Sequence, residues 1–128
     1  MAGYHCQVQN HPNKFVVYPK FLSHALKVRQ SSKYPHLDQH EERLMDQLAT
    51  SWSIDKKITV LMAMRMCDDA SASTVHRRLK TLRLKGMLDL QLDADDNRVK
   101  YIIPTVLAKS YITELGQSVV MAAGAELP

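Results

Sequence analysis

The chain has 128 residues, of which 45% are hydrophobic and 23% are charged, and its formal net charge is +4. This composition suits one globular domain and excludes a low-complexity or collagen-like chain. No apolar run reaches the roughly 18–20 residues of a membrane span, and the N-terminus lacks the apolar core of a signal peptide. We therefore expect a cytoplasmic protein with no membrane partner.

The first part of the chain is basic. Residues 1–37 carry five lysines and arginines and no acid, and such segregation of charge favours polyanionic partners. We interpret residues 1–36 as a basic arm with a helix over residues 20–30, because Pro19 suits the first position of a helix and apolar residues follow at helical spacing. The four residues before Pro19, Phe-Val-Val-Tyr, fit either a short strand or an apolar strip that docks elsewhere.

Two further helices are predicted in the middle of the chain. Acids crowd the first turns of the segment from Leu37 to Ser51, where the helix dipole favours them, and its apolar residues form one stripe. The segment from Ile58 to Met66 is dense in leucine and methionine and is predicted to be helical, with its methionines filling the core. A break at residues 67–70 separates this segment from the next helix.

Residues 71–85 have the strongest helical pattern in the sequence. The first of them is a serine that suits the N-cap, and Gly86 supplies the left-handed stop. At 100° per residue, the side chains of Val75, Leu79 and Leu82 fall within about 60° of one another. Polar and basic side chains lie on the opposite side, so we expect one edge to pack on the fold and the other to face outward.

After this stop, the apolar period changes from helical spacing to strict alternation. Residues 88–92 and 99–103 alternate between apolar and polar side chains, and the polar turn 93–98 joins them. This pattern predicts a β-hairpin. A last helix, capped by its first threonine, is expected over residues 105–122, with a frayed tail at 123–128.

The predicted order is helix, helix, turn, helix, hairpin and helix, which is the order of a winged helix-turn-helix. We predict an α+β, mainly α fold with a DNA-binding domain over residues 37–105, a two-stranded β-hairpin wing and flanking helices that dimerise. Helix 71–85 would enter the major groove of double-stranded DNA, and the wing 88–103 would reach the minor groove or the backbone. The side chains expected to contact DNA are Ser71, Ser73, Thr74, His76, Arg77, Arg78, Lys80, Thr81, Asn97, Arg98 and Lys100.

Three short motifs mark the start of this helix, its exit and the wing. They are Ser-Thr-Val-His-Arg at 73–77, Leu-Arg-Leu-Lys-Gly-Met at 82–87 and Asp-Ala-Asp-Asp-Asn-Arg at 93–98. In order and spacing they resemble the S-T-V-x-R, L-x-x-K-G-hydrophobic and D-x-D-D-R-R motifs of the multiple-antibiotic-resistance regulator (MarR) family, with Asn97 in place of one arginine. The resemblance covers about residues 40–115. It implies a homodimeric, sequence-specific DNA binder, often a repressor, whose terminal helices form the dimer interface.

We interpret the chain as a transcriptional regulator of bacterial, plasmid or phage origin, with a repressor favoured and any small-molecule effector unidentified. Two alternatives stay open. One is a plasmid or phage replication or partition protein with the same fold, and the other is a winged helix used only for protein contacts.

Catalysis and metal binding are not expected. The acids of the turn at 93–98 have no nucleophile beside them, so we expect no enzyme. Histidine and cysteine residues cluster at 5–11 and at 36–40, but neither group supplies the four ligands of a structural zinc site. We therefore expect no cofactor.

Overall fold

The computed structural model describes residues 13–67 and 70–124. Its elements in chain order are α1 (Lys14–Gln30), α2 (Gln39–Trp52), β1 (Ile58–Thr59), α3 (Val60–Met64), α4 (Ala72–Leu84), β2 (Leu88–Leu92), β3 (Lys100–Pro104) and α5 (Val106–Gly124). The strands form one antiparallel sheet in the order β1-β3-β2. The described chain is therefore mainly helical with a small sheet, which confirms the predicted fold class.

The described residues fall into two compact units. One unit contains residues 13–34 and 111–124, and the other contains residues 35–67 and 70–110. Among these residues, no helix combines the length and the apolar character that a membrane-spanning segment needs. The start of the predicted basic arm, with the first histidine and cysteine cluster, and the last four residues of the predicted tail lie outside the described residues.

The first helix starts earlier than the sequence predicts. The side chain of Asn13 accepts a hydrogen bond from the backbone N–H of Phe15 at 3.1 Å and so caps α1. Residues 15–18 are helical, and the strand alternative for them is wrong. Pro19 lies inside α1 rather than at its first position, so the helix lacks one backbone hydrogen bond there.

The end of α1 and the following residues contact α5 inside the first unit. The buried rings of Tyr34 and Tyr111 pack edge to face, with 5.3 Å between their centroids. Arg29 Nε donates a hydrogen bond to the Tyr111 hydroxyl at 3.4 Å, and Lys33 Nζ pairs with Glu114 at 3.2 Å. These contacts hold the C-terminal end of α1 against α5.

Helix α2 begins with a capping box. The carboxylate of Asp38 accepts from the N–H of Glu41 at 2.8 Å, and the carboxylate of Glu41 accepts from the N–H of Asp38 at 2.8 Å. The acids at this end therefore satisfy backbone N–H groups in addition to favouring the helix dipole. The core of the second unit includes the fully buried side chains of Leu44, Met45, Leu48, Ile58, Val75, Leu82, Met87, Leu88 and Ile102.

The segment predicted as one helix, Ile58 to Met66, is helical only over residues 60–64, and its Met62 is 38% exposed rather than part of the core. Its first two residues form β1, which pairs with β3 through Ile58 opposite Ile102 and Thr59 opposite Tyr101. The Thr59 hydroxyl then accepts from the N–H of Met62 at 3.0 Å and caps the short helix α3. Thr59 is β-branched and its hydroxyl bonds the backbone, and both properties favour a strand end or a helix cap over a helix interior. Because β1 pairs with β3, the sheet of the wing has a third strand.

Both predicted ends of α4 are confirmed. The Ser71 hydroxyl accepts from the N–H of Thr74 at 3.2 Å, and Gly86 has φ +81°. A Cβ at residue 86 would come no closer than 3.9 Å to a Leu107 methyl, its nearest neighbour beyond the adjacent residues, so the torsion rather than the space requires glycine. The hairpin is also confirmed, although β3 runs one residue later than predicted and includes Pro104.

Thr105 links the end of α4 to the start of α5. Its hydroxyl donates to the carbonyl oxygen of Gly86 at 2.6 Å and accepts from the N–H of Ala108 at 3.1 Å. The threonine therefore caps the last helix as predicted, and that helix continues to Gly124, past the predicted end at residue 122.

Candidate nucleic-acid interface

Helix α4 has one buried edge and one exposed basic side. Val75, Leu79 and Leu82 are at most 5% exposed, whereas Arg77 and Lys80 are exposed. The buried edge fixes the rotation of the helix about its own axis, because turning it would expose the apolar side chains. The basic side therefore has a defined direction relative to the second unit.

Three hydroxyl groups gather at the N-terminus of α4. The Ser71 oxygen lies 3.2 Å from the Ser73 oxygen and 2.8 Å from the Thr74 oxygen, and it also accepts the capping N–H. The first turn of a helix has free N–H groups and a positive dipole end, both of which favour an anion. This end of α4 has the chemistry of a phosphate contact.

A groove separates α4 from the hairpin. Its lining includes His76, Lys80 and Arg83 from the helix, together with Leu90 and Lys100 from the strands. The floor is apolar and the rim is basic. The structure thus brings His76 and Lys80 of the predicted site next to Lys100.

The other predicted residues of α4 do not line this groove. Arg77 is exposed, Arg78 is half-buried, and the Thr81 hydroxyl donates to the carbonyl oxygen of Arg77 at 3.1 Å. Leu84, two helical turns after Arg77, is 87% exposed and lies on the same outward side. The outward side of α4 is therefore basic near its middle and apolar at its end.

The wing turn, residues 93–98, is held by an aspartate. Asp93 accepts hydrogen bonds from the N–H groups of Asp95 and Asp96, each at 3.0 Å, and from the Tyr101 hydroxyl at 2.8 Å. The Tyr101 bond, followed by the two backbone bonds, lowers the pKa of Asp93 below its ordinary value. The same bond to Asp93 raises the pKa of Tyr101. The acids of the turn organise its backbone, which explains their presence on a basic surface.

The tip of the wing carries a paired arginine. Arg98 Nε and Nη2 donate to the two carboxylate oxygens of Asp96 at 3.0 and 3.2 Å, and this side-chain bond lowers the pKa of Asp96. The arginine side chain nevertheless stays 91% exposed. Asn97 and Lys100 are exposed as well. Exposed ion pairs contribute little stability, so the arginine can exchange this partner for another anion at small cost.

Sequence reasoning missed two residues that support the wing, Trp52 at the end of α2 and Lys57 in the loop that follows it. The indole N–H of Trp52 donates to the carbonyl oxygen of Ile102 in β3 at 3.0 Å. Lys57 Nζ lies 5.1 Å from the centroid of the Tyr101 ring. Each pair joins residues at least 44 positions apart in the sequence, and no local motif signals such a contact.

No protein-family model and no curated protein matches the sequence. Solved structures do resemble the chain. The adhesin competence repressor AdcR from Streptococcus pyogenes has a TM-score of 0.50 and 22% identity over 78% of this chain and 67% of its own. The heme sensor protein PefR from Streptococcus agalactiae has a TM-score of 0.57 and 21% identity over 84% of this chain and 69% of its own.

A third neighbour is the transcriptional regulator Tm0710 from Thermotoga maritima, with a TM-score of 0.57 and 15% identity over 83% of this chain and 66% of its own. AdcR and PefR are MarR-family transcriptional regulators. At such identities the likeness shows the fold. The chain has a MarR-like winged helix-turn-helix fold, and the resemblance first drawn from its motifs is confirmed at that level.

Proposed function

We propose that the protein is a sequence-specific, double-stranded DNA-binding transcriptional regulator. The observation that carries the proposal is helix α4, which buries Val75, Leu79 and Leu82 and turns Arg77 and Lys80 outward beside the wing. A helix in the major groove needs this division between a packed edge and a free polar edge. The fold shared with AdcR, a repressor by name, and with the regulator Tm0710 supports the same function.

In this proposal the first half of α4 reads the bases. Ser73 and Arg77 meet base edges in the major groove, and an arginine that bonds a guanine through both nitrogens gives about 1–3 kcal/mol of discrimination. Ser71 and Thr74 bind phosphates at the helix N-terminus. Their clustered hydroxyls support this role.

The remaining predicted contacts serve the backbone and the wing. His76, Arg78, Lys80 and Thr81 flank the reading side of α4 and bind phosphates. The wing carries Asn97, Arg98 and Lys100 to the adjacent minor groove or its phosphates, where negative potential favours arginine. Lys80 and Lys100 line one groove, and this shared position supports simultaneous binding by helix and wing.

We also propose that the protein binds DNA as a homodimer through its first unit. Exposed apolar side chains recur on α1 at spacings of three and four residues, and a second group lies near the end of α5. Exposed apolar side chains grouped in this way are typical of a protein interface. A two-fold dimer would place two α4 helices in half-sites about 34 Å apart. These exposed apolar side chains are Phe15, Tyr18, Leu22, Leu26, Val119, Val120 and Met121.

Selection of bound duplexes from a random pool tests the function. Wild-type protein should enrich a two-fold symmetric site, and Arg77→Ala should bind more weakly with a relaxed base preference. Lys109→Ala removes an exposed positive charge outside α4 and the wing and is the matched control. Iterated repeats in place of a palindrome would favour a replication or partition protein. If the protein retains no duplex even at low salt, only the second alternative remains, a winged helix used for protein contacts.

If the protein is a repressor, its selected site should overlap promoters in the source genome. Occupancy at those sites should lower transcription in a reconstituted assay. Activation at the same sites would reject the repressor assignment while keeping the DNA-binding proposal.

A further inference from the structure

Lys85 is the last basic residue of the run that begins at Arg77 in α4. From the sequence alone, it could be taken for a further DNA contact of that helix. Its surroundings differ from those of the other cations. Lys85 Nζ donates to Glu41 Oε1 at 2.8 Å and to the carbonyl oxygen of His36 at 2.8 Å. The Lys85 side chain is 30% exposed and that of Glu41 only 4%. The ammonium group is therefore hydrogen-bonded to another part of the fold, although the side chain stays partly exposed.

The acceptor of this bond already has a structural role. Glu41 Oε1 also accepts the N–H of Asp38 in the capping box of α2. One carboxylate oxygen thus joins the first turn of α2 to the residue that follows α4. A bond to the carbonyl of His36 extends the same network to the segment that leads into α2.

The backbone at Lys85 transmits this attachment to α4. Lys85 is the C-cap residue, and its N–H donates to the carbonyl of Thr81 at 2.9 Å. Gly86 then adopts φ +81°, and the N–H of the fully buried Met87 donates to the carbonyl of Leu82 at 3.0 Å. Backbone hydrogen bonds therefore fix the chain at Lys85 and just after it. Because the backbone of Lys85 is fixed to α4, a contact that holds the Lys85 side chain also holds the C-terminal end of the helix.

We propose that Lys85 is a positioning residue, which anchors the C-terminal end of α4 to the capping box of α2 and so sets how the helix meets DNA. The proposal rests on the proposed function. It separates the cations of this region into two classes. Lys80 is exposed and binds a phosphate, whereas Lys85 is held by Glu41 and contributes through geometry.

The salt dependence of binding separates the two roles. Each phosphate contact that is lost reduces the slope of log K against log salt by about 0.9. Lys80→Met should therefore flatten the slope by about that amount. Lys85→Met should lower affinity by about tenfold, within the range of measured network couplings, while the slope stays as in wild type.

Hydrogen exchange of the DNA-free protein gives a second readout. Lys85→Met should speed amide exchange at the C-terminal end of α4 and at the first turn of α2, whereas Lys80→Met should not. Because removing the lysine alone leaves a buried carboxylate, K85M could fail to fold. The double variant K85M/E41Q removes that charge and keeps an oxygen for the N–H of Asp38, so it tests the same anchor in a folded protein.

The proposal is overturned if Lys85→Met or the double variant flattens the salt slope as Lys80→Met does, because Lys85 would then be a phosphate contact. It is also overturned if amide exchange at the end of α4 becomes faster in these variants while their affinity for the duplex stays as in wild type. If the wild-type protein retains no duplex, the proposed function fails. The exchange result would still report separately on whether the anchor holds α4.

Discussion

Helix α4 and the wing turn both carry basic side chains on the proposed DNA surface, but the fold holds them in different ways. Helix α4 is fixed by apolar burial, and within the described residues its Arg77 and Lys80 have no ion-pair partner. The wing turn is fixed by hydrogen bonds to Asp93, and its Arg98 is paired with Asp96. An anion that approaches Arg77 or Lys80 therefore displaces no internal ion pair, whereas one that approaches Arg98 competes with Asp96.

If the proposed function holds, we expect this difference to give base selection to the helix and adjustable backbone binding to the wing. Rigid elements hold side chains accurately enough to discriminate base edges, while an exposed turn adapts to the local shape of the groove. Four experiments test the contrast between helix α4 and the wing turn.

Loss of the buried edge should have the largest effect. Leu82→Ala removes a fully buried side chain of α4 and should lower the free energy of unfolding by about 2–5 kcal/mol. Leu84→Ala, on the same helix but 87% exposed, should change it by less than about 0.5 kcal/mol. Chemical denaturation measures both. Equal effects would show that apolar burial does not fix the rotation of α4.

Arg77→Ala comes next. It should weaken binding to the selected duplex by about 1–3 kcal/mol, and the loss should be concentrated at one base position of each half-site. Titration against the selected site and its single-base variants measures this pattern. A uniform loss across all variants would make Arg77 a phosphate contact.

Arg98→Ala should have a smaller effect on DNA binding and almost none on stability. Its pairing with Asp96 is exposed, so unfolding should be unchanged, but the salt slope of binding should flatten by about 0.9. Lys100→Ala should act in the same direction. A loss of base preference in either variant would contradict the division between helix and wing.

Protonation of Asp93 should loosen the wing turn at acid pH. Because hydrogen bonds lower its pKa in the folded protein, its contribution is fully present above the ordinary aspartate pKa of about 3.9 and is lost as the pH falls through the lowered value. Asp93→Asn should remove this part of the acid dependence. The pH profile of thermal unfolding, compared between the two proteins, measures the effect, and identical profiles would refute it.

Local signals account for what could be predicted from the sequence. Ser71, Gly86 and the alternation after residue 87 act over a few residues, and they gave the ends of α4 and the hairpin. Strand β1 could not be foreseen, because Ile58 and Thr59 become a strand only through pairing with β3. The network of Lys85 and Glu41 joins residues 44 positions apart, and a basic run alone cannot show which cation is bound by a distant carboxylate.

Trp52 gives the protein a built-in optical probe. It is the chain's one tryptophan, so all indole emission comes from a ring whose N–H is bonded to the middle strand of the sheet. A change in that bond would alter the polarity around the ring and shift the emission wavelength. Strand rearrangement during a binding titration can therefore be followed without attaching a dye.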